Sequence, residues 1–289
     1  MVKRIKVVVT GANGFVAKNL RKYLSENNVD LISISRSDFK EYNNELKIIS
    51  KNYDEKIILN KIKNYDVLIH LVGIGKQSVD IDYEMINVEF TKYIVNLAKK
   101  AKIKKIIYNS GLGVSSKTSV GYFISKYKAE KIIMNSGLNY TIFRPSYIVG
   151  KDDLFTKFLK KQIKLKIIEI PGSGNYSIQP ISINDVVKVF HQSLDQIKFK
   201  NKIIDLVGPD YLTFEQYVKL FSKDTKTKIK KINLENAYYD AITNSKSNFG
   251  VDDLNILIGD FKGNYNKLQK LSQMKFESVI ELLKSGGLL

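Results

Sequence analysis

Ile5-Lys6-Val7-Val8-Val9-Thr10-Gly11-Ala12-Asn13-Gly14-Phe15-Val16-Ala17-Lys18-Asn19-Leu20 is the stretch from which the fold can be read. A β-branched apolar run leads into a glycine turn and then an amphipathic segment with Leu20 and Leu24 one helical turn apart. Strand, tight turn and helix N-terminus in that order form a phosphate cradle. Gly11 permits the turn, Gly14 lets the backbone approach a pyrophosphate, and the small Ala17 lets helix pack on strand. The spacing is G-x-x-G-x-x-A rather than G-x-G-x-x-G, and the flanking strand and helix supply the context that the motif requires. Asn13, Phe15 and Val16 fall in the same turn and join Gly11 and Gly14 as candidate cofactor contacts.

The next apolar segment, Asp30-Leu31-Ile32-Ser33-Ile34-Ser35-Arg36, reads as the second strand. Its end is where a dinucleotide site chooses between cofactors: a carboxylate there accepts hydrogen bonds from a ribose 2′-OH, whereas arginine pairs with a 2′-phosphate. Ser35-Arg36-Ser37 therefore favours NADP over NAD, with Asp38 close enough to serve a ribose instead.

A weaker strand is expected near Leu46–Ile49, and a helix over Asp54–Lys63. Asp66-Val67-Leu68-Ile69-His70-Leu71-Val72-Gly73 reads as a strand buried on both faces, its end (Leu71, Val72, Gly73) beside the cofactor. His70 lies within that run as a satisfied core histidine. Helical periodicity covers Tyr83–Ala101, followed by a strand at Ile106–Ser110, a loop at Gly111–Gly121, a helix at Tyr122–Ser136 and a strand at Tyr140–Pro145. Strands alternating with helices predict an α/β, doubly wound, mostly parallel sheet of Rossmann type.

With 289 residues the chain can bury a substantial core, and no apolar run approaches the ~20 residues of a membrane span. There are no cysteines and two histidines, which excludes disulfides, thiolate metal sites and a histidine-rich metal site. The first strand begins close to Met1, so no cleavable signal peptide is expected and a cytoplasmic location follows. The net charge is +18, but only four of the 47 basic residues are arginine (Arg4, Arg21, Arg36, Arg144), and the lysines are scattered. That pattern describes a solvated lysine surface rather than a nucleic-acid or membrane face.

The chain resembles the short-chain dehydrogenase/reductase superfamily in its extended or atypical, epimerase/dehydratase-like branch. The matching pieces run in order: Thr10 to Phe15, Asp66 to Gly73, Asn87-Val88, Tyr122 to Glu130, Thr141 to Gly150, Ile170 to Gly174, Gln179 to Val186 and Leu206 to Glu215. They look like the subgroup that includes the nucleotide-binding accessory subunit of respiratory complex I, and the likeness weakens after about Lys231. The resemblance implies an NAD(P)-dependent oxidoreductase or epimerase in which Tyr122 exchanges a proton with substrate, while the Lys126 cation and an oxidised nicotinamide together favour the phenolate and lower the tyrosine pKa. Tyr-x-x-x-Lys occurs at Tyr122, Tyr127 and Tyr147, and only the first opens the helix after the Ser110 strand, where the family places it.

The resemblance further implies Asn87 near the lysine, Ser110 beside the cofactor, and Pro145 at the nicotinamide end. Arg144 either borders the nicotinamide or forms a structural ion pair. The family's usual catalytic serine is replaced by Gly111; Ser110 stands one residue early, and Ser115 or Ser116 would have to substitute. Atypical members often keep the Tyr/Lys pair without that serine. This leaves an alternative, a non-catalytic NADP(H)-binding redox sensor or assembly protein.

Two regions are expected: residues 1–150 as the NAD(P)-binding domain, which also receives later segments such as 181–192, and residues 151–289 as a smaller α+β substrate lobe. Asp185 is expected to cap a helix returning to the main sheet. A small-molecule substrate would lie between the lobes, against Gly111–Thr118, Tyr147, Phe155 and Tyr176. No arginine follows Arg144, which weakens a sugar-nucleotide diphosphate as substrate. A monomer or homodimer is expected.

Overall fold

Val7, Val8 and Val9 are fully buried, so the chain sets its first strand where both faces are covered. In the computed structural model, which describes residues 4–259 and 261–288, β1 (Ile5–Thr10) stands inside a seven-stranded sheet. To one side lie β2 (Val29–Ser35) and β3 (Glu45–Ile49). To the other lie β4 (Val67–His70), β5 (Lys105–Asn109) and β6 (Asn139–Pro145). Every pairing is parallel, with Val8 opposite Ile32 on β2 and Leu68 on β4. The strand order reverses at β1, so the crevice at the carboxyl ends of β1 and β4 is where a doubly wound sheet receives a ligand.

Helices cover both faces. α1 (Phe15–Ser25) lays Ala17, Leu20 and Leu24 on one, while α2 (Glu55–Ile62), α3 (Phe90–Lys100) and α4 (Gly121–Met134) cover the other with Ile58, Ile94 and Ala129. The expected helix over 83–101 is not uniform: Glu84–Glu89 is a π-helical segment feeding α3. Such widened turns often mark functional positions, and Asn87 lies within this one. β2 stops at Ser35, and β4 stops at His70. Arg36 and Leu71–Gly73 therefore sit in the loops above the sheet rather than in its ladder.

After β7 (Ile148–Val149) the chain builds a second core. It holds α5 (Leu154–Lys164), β8 (Ile167–Pro171) and β9 (Ser177–Ile178). The chain then returns to the main sheet through β10 (Ile181–Ser182), which pairs with β7, and α6 (Ile183–Gln192), which packs on α1. β11 (Lys202–Leu206) pairs with β6 and completes the seven strands. The cap of α6 differs from expectation. Ser182 accepts the Asn184 N–H, whereas Asp185 lies inside the first turn, fully buried, and accepts the Glu277 N–H at 2.6 Å. A buried carboxylate that ties in a distant chain segment is unavailable as a cap.

The smaller lobe is finished by β12 (Leu212–Thr213), α7 (Phe214–Phe221), β13 (Lys228–Ile232), α8 (Leu234–Thr243), α9 (Val251–Leu257) and α11 (Val279–Lys284). They enclose Leu159, Ile170, Phe214, Tyr217 and Leu254. α10 (Tyr265–Ser272) returns Leu268 to the core on the α1 face of the main sheet. The chain thus crosses between the two cores several times after residue 150. Among the described residues, no helix is long and apolar enough to cross a membrane, and no group of His, Asp or Glu could hold a metal ion.

Candidate active site

The glycine turn is held from three sides. Gly11 has φ +76°, a left-handed conformation that favours glycine. A Cβ there would lie 3.1 Å from Val72 Cγ2 and 3.2 Å from the Leu71 carbonyl carbon. The Gly11 and Ala12 N–H groups donate to the Ile34 carbonyl at the end of β2 (3.0 and 3.1 Å). The Tyr53 hydroxyl accepts from Gly11 N–H at 3.1 Å and donates to Ile34 O, and burial pushes this phenol up to about 12, so it stays neutral.

α1 begins at Gly14 without a side-chain cap and without an acidic residue in its first turn. The N–H groups of Phe15 and Val16 therefore have no intrahelical partner, and the helix dipole favours an anion there. A cleft of about 570 Å³ opens above this turn, lined among others by Asn13, Gly14, Arg36, Lys51, Leu71 and Gly73. Its volume, its close backbone approach and its helix terminus fit a dinucleotide.

At the far end of the cleft, Asn13 Nδ2 donates to Ser35 Oγ, Ser37 Oγ and the Asp38 carbonyl (3.0–3.1 Å), tying the Arg36 loop to the glycine turn. Arg36 is exposed on the rim, with Lys51 among the other lining residues. Asp38 does not line the cleft. Lys47 Nζ donates to its carboxylate at 2.9 Å, and that bond, with the Phe39 N–H, holds its pKa below the ordinary value. Lys51 was foreshadowed only by its place just past the third strand, at the same carboxyl edge as Arg36.

Support for the turn comes from a residue that composition did not flag. Arg21 lies on the buried stripe of α1, 1 % exposed. Its guanidinium donates to both Glu45 oxygens (2.6 and 2.8 Å), to the Ala12 carbonyl and to the Lys40 carbonyl, and it stacks on Phe39. One planar fork thus joins α1, the glycine turn and β3.

Deeper in, α4 brings Tyr122 and Lys126 to the end of β5. Lys126 Nζ donates to the Tyr108 hydroxyl and the Asn109 carbonyl, both at 3.2 Å, and lies 5.9 Å from the Tyr122 ring centroid. A Cβ on Gly73 would meet Lys126 Nζ at 2.9 Å and Asn87 Oδ1 at 3.2 Å, so the glycine is what brings loop, lysine and asparagine together. Asn87 is fully buried; it accepts from Ile74 N–H, donates to Ile74 O and donates to Ser125 Oγ. It thereby pins the loop after β4 to α4.

The expected lowering of the tyrosine pKa involves an oxidised nicotinamide beside the lysine; the protein groups by themselves act the other way. Burial pushes the Tyr122 phenol up to about 12 and the Lys126 ammonium down to about 8, the latter opposed by Glu130. Desolvation outweighs the lysine's attraction for a phenolate because Nζ is turned toward Tyr108 and the Asn109 carbonyl. His70 is a core residue as expected. Its ring nitrogens meet Thr10 Oγ1 and Thr91 Oγ1, and burial lowers it to about 3.

The depressed lysine gives a stability test. The unfolded chain holds the Lys126 proton up to its ordinary 10.5, the folded chain only to about 8. Between those values the unfolded state binds more protons at this group, so its contribution to stability rises with pH. The stability difference between wild type and Lys126→Met should therefore be flat below about pH 8 and grow in favour of wild type up to about 10.5. Denaturant midpoints across that range measure it, and a flat difference throughout would remove the buried ammonium from the picture.

Ser110 lines the inner pocket, but its hydroxyl is engaged there, donating to Glu130 Oε1 at 2.6 Å. Arg144 completes that cluster with two bonds to Glu130 (2.6 and 2.9 Å), so of its two expected roles it takes the ion pair, while Pro145 and Ser146 line the inner pocket. Ser115 and Ser116 are exposed and do not line it. At Gly111 a Cβ would come 3.1 Å from the Tyr122 hydroxyl, so the position expected for a serine does face the phenol. Phe155 and Tyr176 are corrections. Phe155 packs on Tyr147, Phe214 and Tyr217, and Tyr176 packs against the lobe core, so neither lines the pocket. Ile256 and Phe261 take their place.

A family model described as NAD(P)H-binding matches residues 11–172. The chain belongs to the NAD(P)H-binding short-chain dehydrogenase/reductase family, in its atypical, epimerase-like branch. Mouse NADH dehydrogenase [ubiquinone] 1 alpha subcomplex subunit 9, mitochondrial, is 23% identical over 237 residues, covering 78% of this chain and 63% of that protein. A UDP-2-acetamido-2,6-beta-L-arabino-hexul-4-ose reductase of Pseudomonas aeruginosa is 25% identical over 220 residues, covering 72% of this chain and 54% of its own length. The chain thus spans less than two thirds of these relatives. Among solved structures, UDP-glucuronic acid 4-epimerase from Bacillus cereus, in complex with UDP-glucuronic acid and NAD, superposes with a TM-score of 0.77 at 17% identity, covering 98% of both chains. At that identity the likeness speaks for the fold alone.

Proposed function

We propose that this protein is an NADP(H)-dependent oxidoreductase in which Tyr122 and Lys126 move the proton. The observation that carries the reading is that Lys126 and Asn87 converge on Gly73, which lines the cofactor cleft, while Tyr122, its ring 5.9 Å from Lys126 Nζ, lines the inner pocket. When bound, the nicotinamide supplies or accepts the hydride. Tyr122 exchanges its phenolic proton with the substrate oxygen, and Lys126 stabilises the phenolate that this leaves. Asn87 holds the loop that keeps Gly73 against Lys126. Gly11, Asn13, Gly14, Phe15 and Val16 hold the pyrophosphate side, with Leu71, Val72 and Gly73 on the opposite wall. Ser110 acts through Glu130, and Pro145 lies at the nicotinamide end.

NADP is preferred over NAD because Arg36 and Lys51 present positive charge at the ribose end while Asp38 is engaged by Lys47. Parallel fluorescence titrations with NADPH and NADH test this. NADPH should bind the more tightly, and Arg36→Ala should weaken NADPH by about tenfold with little effect on NADH, the loss of one charge-assisted bond. Equal affinity for both nucleotides, or no effect of Arg36→Ala, would sink the preference.

A second reading rests on Gly111, which places no hydroxyl beside Tyr122. On that reading the protein binds NADP(H) without turnover, as a sensor or assembly component; the relative named as a subunit of NADH dehydrogenase is in keeping with it. Stoichiometric NADPH binding with no oxidation by any carbonyl compound would favour it.

A further inference from the structure

The inner pocket next to Tyr122 measures about 210 Å³, below the ~300–1,000 Å³ typical of sites for drug-sized ligands. No charged side chain lines it. Its outer wall comes from the C-terminal part of the chain: Ile256 of α9, and Phe261 just beyond it. Phe261 is seated closely. Its ring makes an edge contact with Phe123 (5.1 Å), and a Cβ on Gly113, which has φ +96°, would fall 2.4 Å from its Cε1. Only glycine at 113 admits the phenyl ring in this position.

The charges near this wall are the wrong sign for a phosphate. Asp252 and Asp253 open α9; Asp252 accepts from Gln77 N–H, both carboxylates raise the phenol of Tyr83, which packs on Tyr122, and Asp253 raises that of the lining Tyr147, each secondary to burial. The cations adjoining the pocket are engaged, Arg144 by Glu130 and Lys126 by Tyr108 and the Asn109 carbonyl. Lys262 faces a separate, open groove with Tyr211 and Thr213.

Building on the oxidoreductase reading, we propose that this pocket takes a small, uncharged carbonyl compound, or the corresponding alcohol, and not a nucleotide sugar. Its oxygen lies against the Tyr122 hydroxyl, and its carbon skeleton is bounded by Leu112, Phe123, Ile256 and Phe261. In the reduction, hydride from NADPH forms the new C–H bond as the carbonyl π pair moves to oxygen. The Tyr122 proton completes the hydroxyl and solvent restores the phenol, so that carbonyl, NADPH and H⁺ give alcohol and NADP⁺.

The test uses the full chain loaded with NADPH, following both the fluorescence of bound cofactor and its oxidation. The probes are a ladder of aldehydes and ketones from propanal to bulky bicyclic ketones, with UDP-glucose in parallel. Wild type should turn over the small members, with a sharp upper limit of size. Phe261→Ala should raise kcat/KM for the bulky members by about tenfold or more relative to the small ones, the scale of a pocket that gains space for a few carbon atoms. Phe261→Leu, closer in volume, should give an intermediate profile and guards against misfolding of the alanine variant.

UDP-glucose should neither perturb bound NADPH nor compete. UDP-glucose binding, an unchanged size limit in both Phe261 variants, or no response to any small carbonyl would overturn the proposal while leaving the cofactor site standing. Failure of NADPH itself to bind would overturn the oxidoreductase reading beneath it.

Discussion

Tyr122→Phe is expected to lower turnover by about a hundredfold or more and to leave the NADPH dissociation constant within about twofold, because the change removes only a proton-transfer group. The phenyl ring keeps its edge contacts with Tyr83 (6.0 Å) and Phe123 (5.1 Å), so packing at the start of α4 survives. What is lost is the hydroxyl that looks onto Gly111. The pH profile of carbonyl reduction carries further information. With the phenol near 12, Tyr122 retains its proton across the working range, whereas Lys126 loses its own near 8. The rate should therefore fall as pH rises through about 8, when the charge that stabilises the departing phenolate disappears. If Tyr122→Phe lost cofactor affinity in step with turnover, the residue would be structural. A rate that kept rising above pH 9 would mean that Lys126 acts without its charge.

Arg21→Ala is expected to cost about 3–5 kcal/mol of folding stability, the scale for removing one partner of a buried ion pair. The Glu45 side chain would be left fully buried as an uncompensated carboxylate, and the Ala12 and Lys40 carbonyls would each lose a donor. Because Ala12 lies in the glycine turn, NADPH binding should weaken alongside stability. Denaturant midpoints measure the first and fluorescence titration the second. The double variant Arg21→Met with Glu45→Leu should recover most of the stability, since matched apolar groups leave no stranded charge. A loss below about 1 kcal/mol in Arg21→Ala would mean that water reaches Glu45 and the pair is not truly buried.

Local signals carried the sheet. β1, β4 and β5 are short β-branched runs beside turn residues, and their existence and order were legible, with ends placed to within three residues. Tyr122 and Lys126 could be singled out through the family resemblance, which puts a Tyr-x-x-x-Lys pair at the start of the helix after the Ser110 strand; the spacing alone recurs at Tyr127 and Tyr147. What remained hidden depends on distant partners. Arg21 sits where an apolar stripe continues, between Leu20 and Leu24, and nothing near it in the chain announces Glu45. Phe261 gives no sign of packing on Gly113 and Phe123, because that contact exists only once α9 is placed against the main sheet. Phe155 and Tyr176 looked equally suited to line a pocket; aromatic residues fill a lobe core as readily as a binding site, and only their neighbours tell the two apart.

The late arrival of β11 has a consequence for how the chain is made. Until Lys202–Leu206 emerge, the outer edge of β6 (Asn139–Pro145) has no neighbour, and its main-chain groups stand ready to pair with any passing strand. Roughly sixty residues separate the two, which at ~5–20 residues per second of synthesis leaves the edge bare for about 3–12 s. A fragment ending near residue 150 would keep it bare permanently and should be prone to self-association, whereas one extending past β11 and α10 pairs that edge and packs a helix against the new outer strand. For this chain, the dinucleotide-binding half becomes a safe, finished object only after most of the other half has left the ribosome.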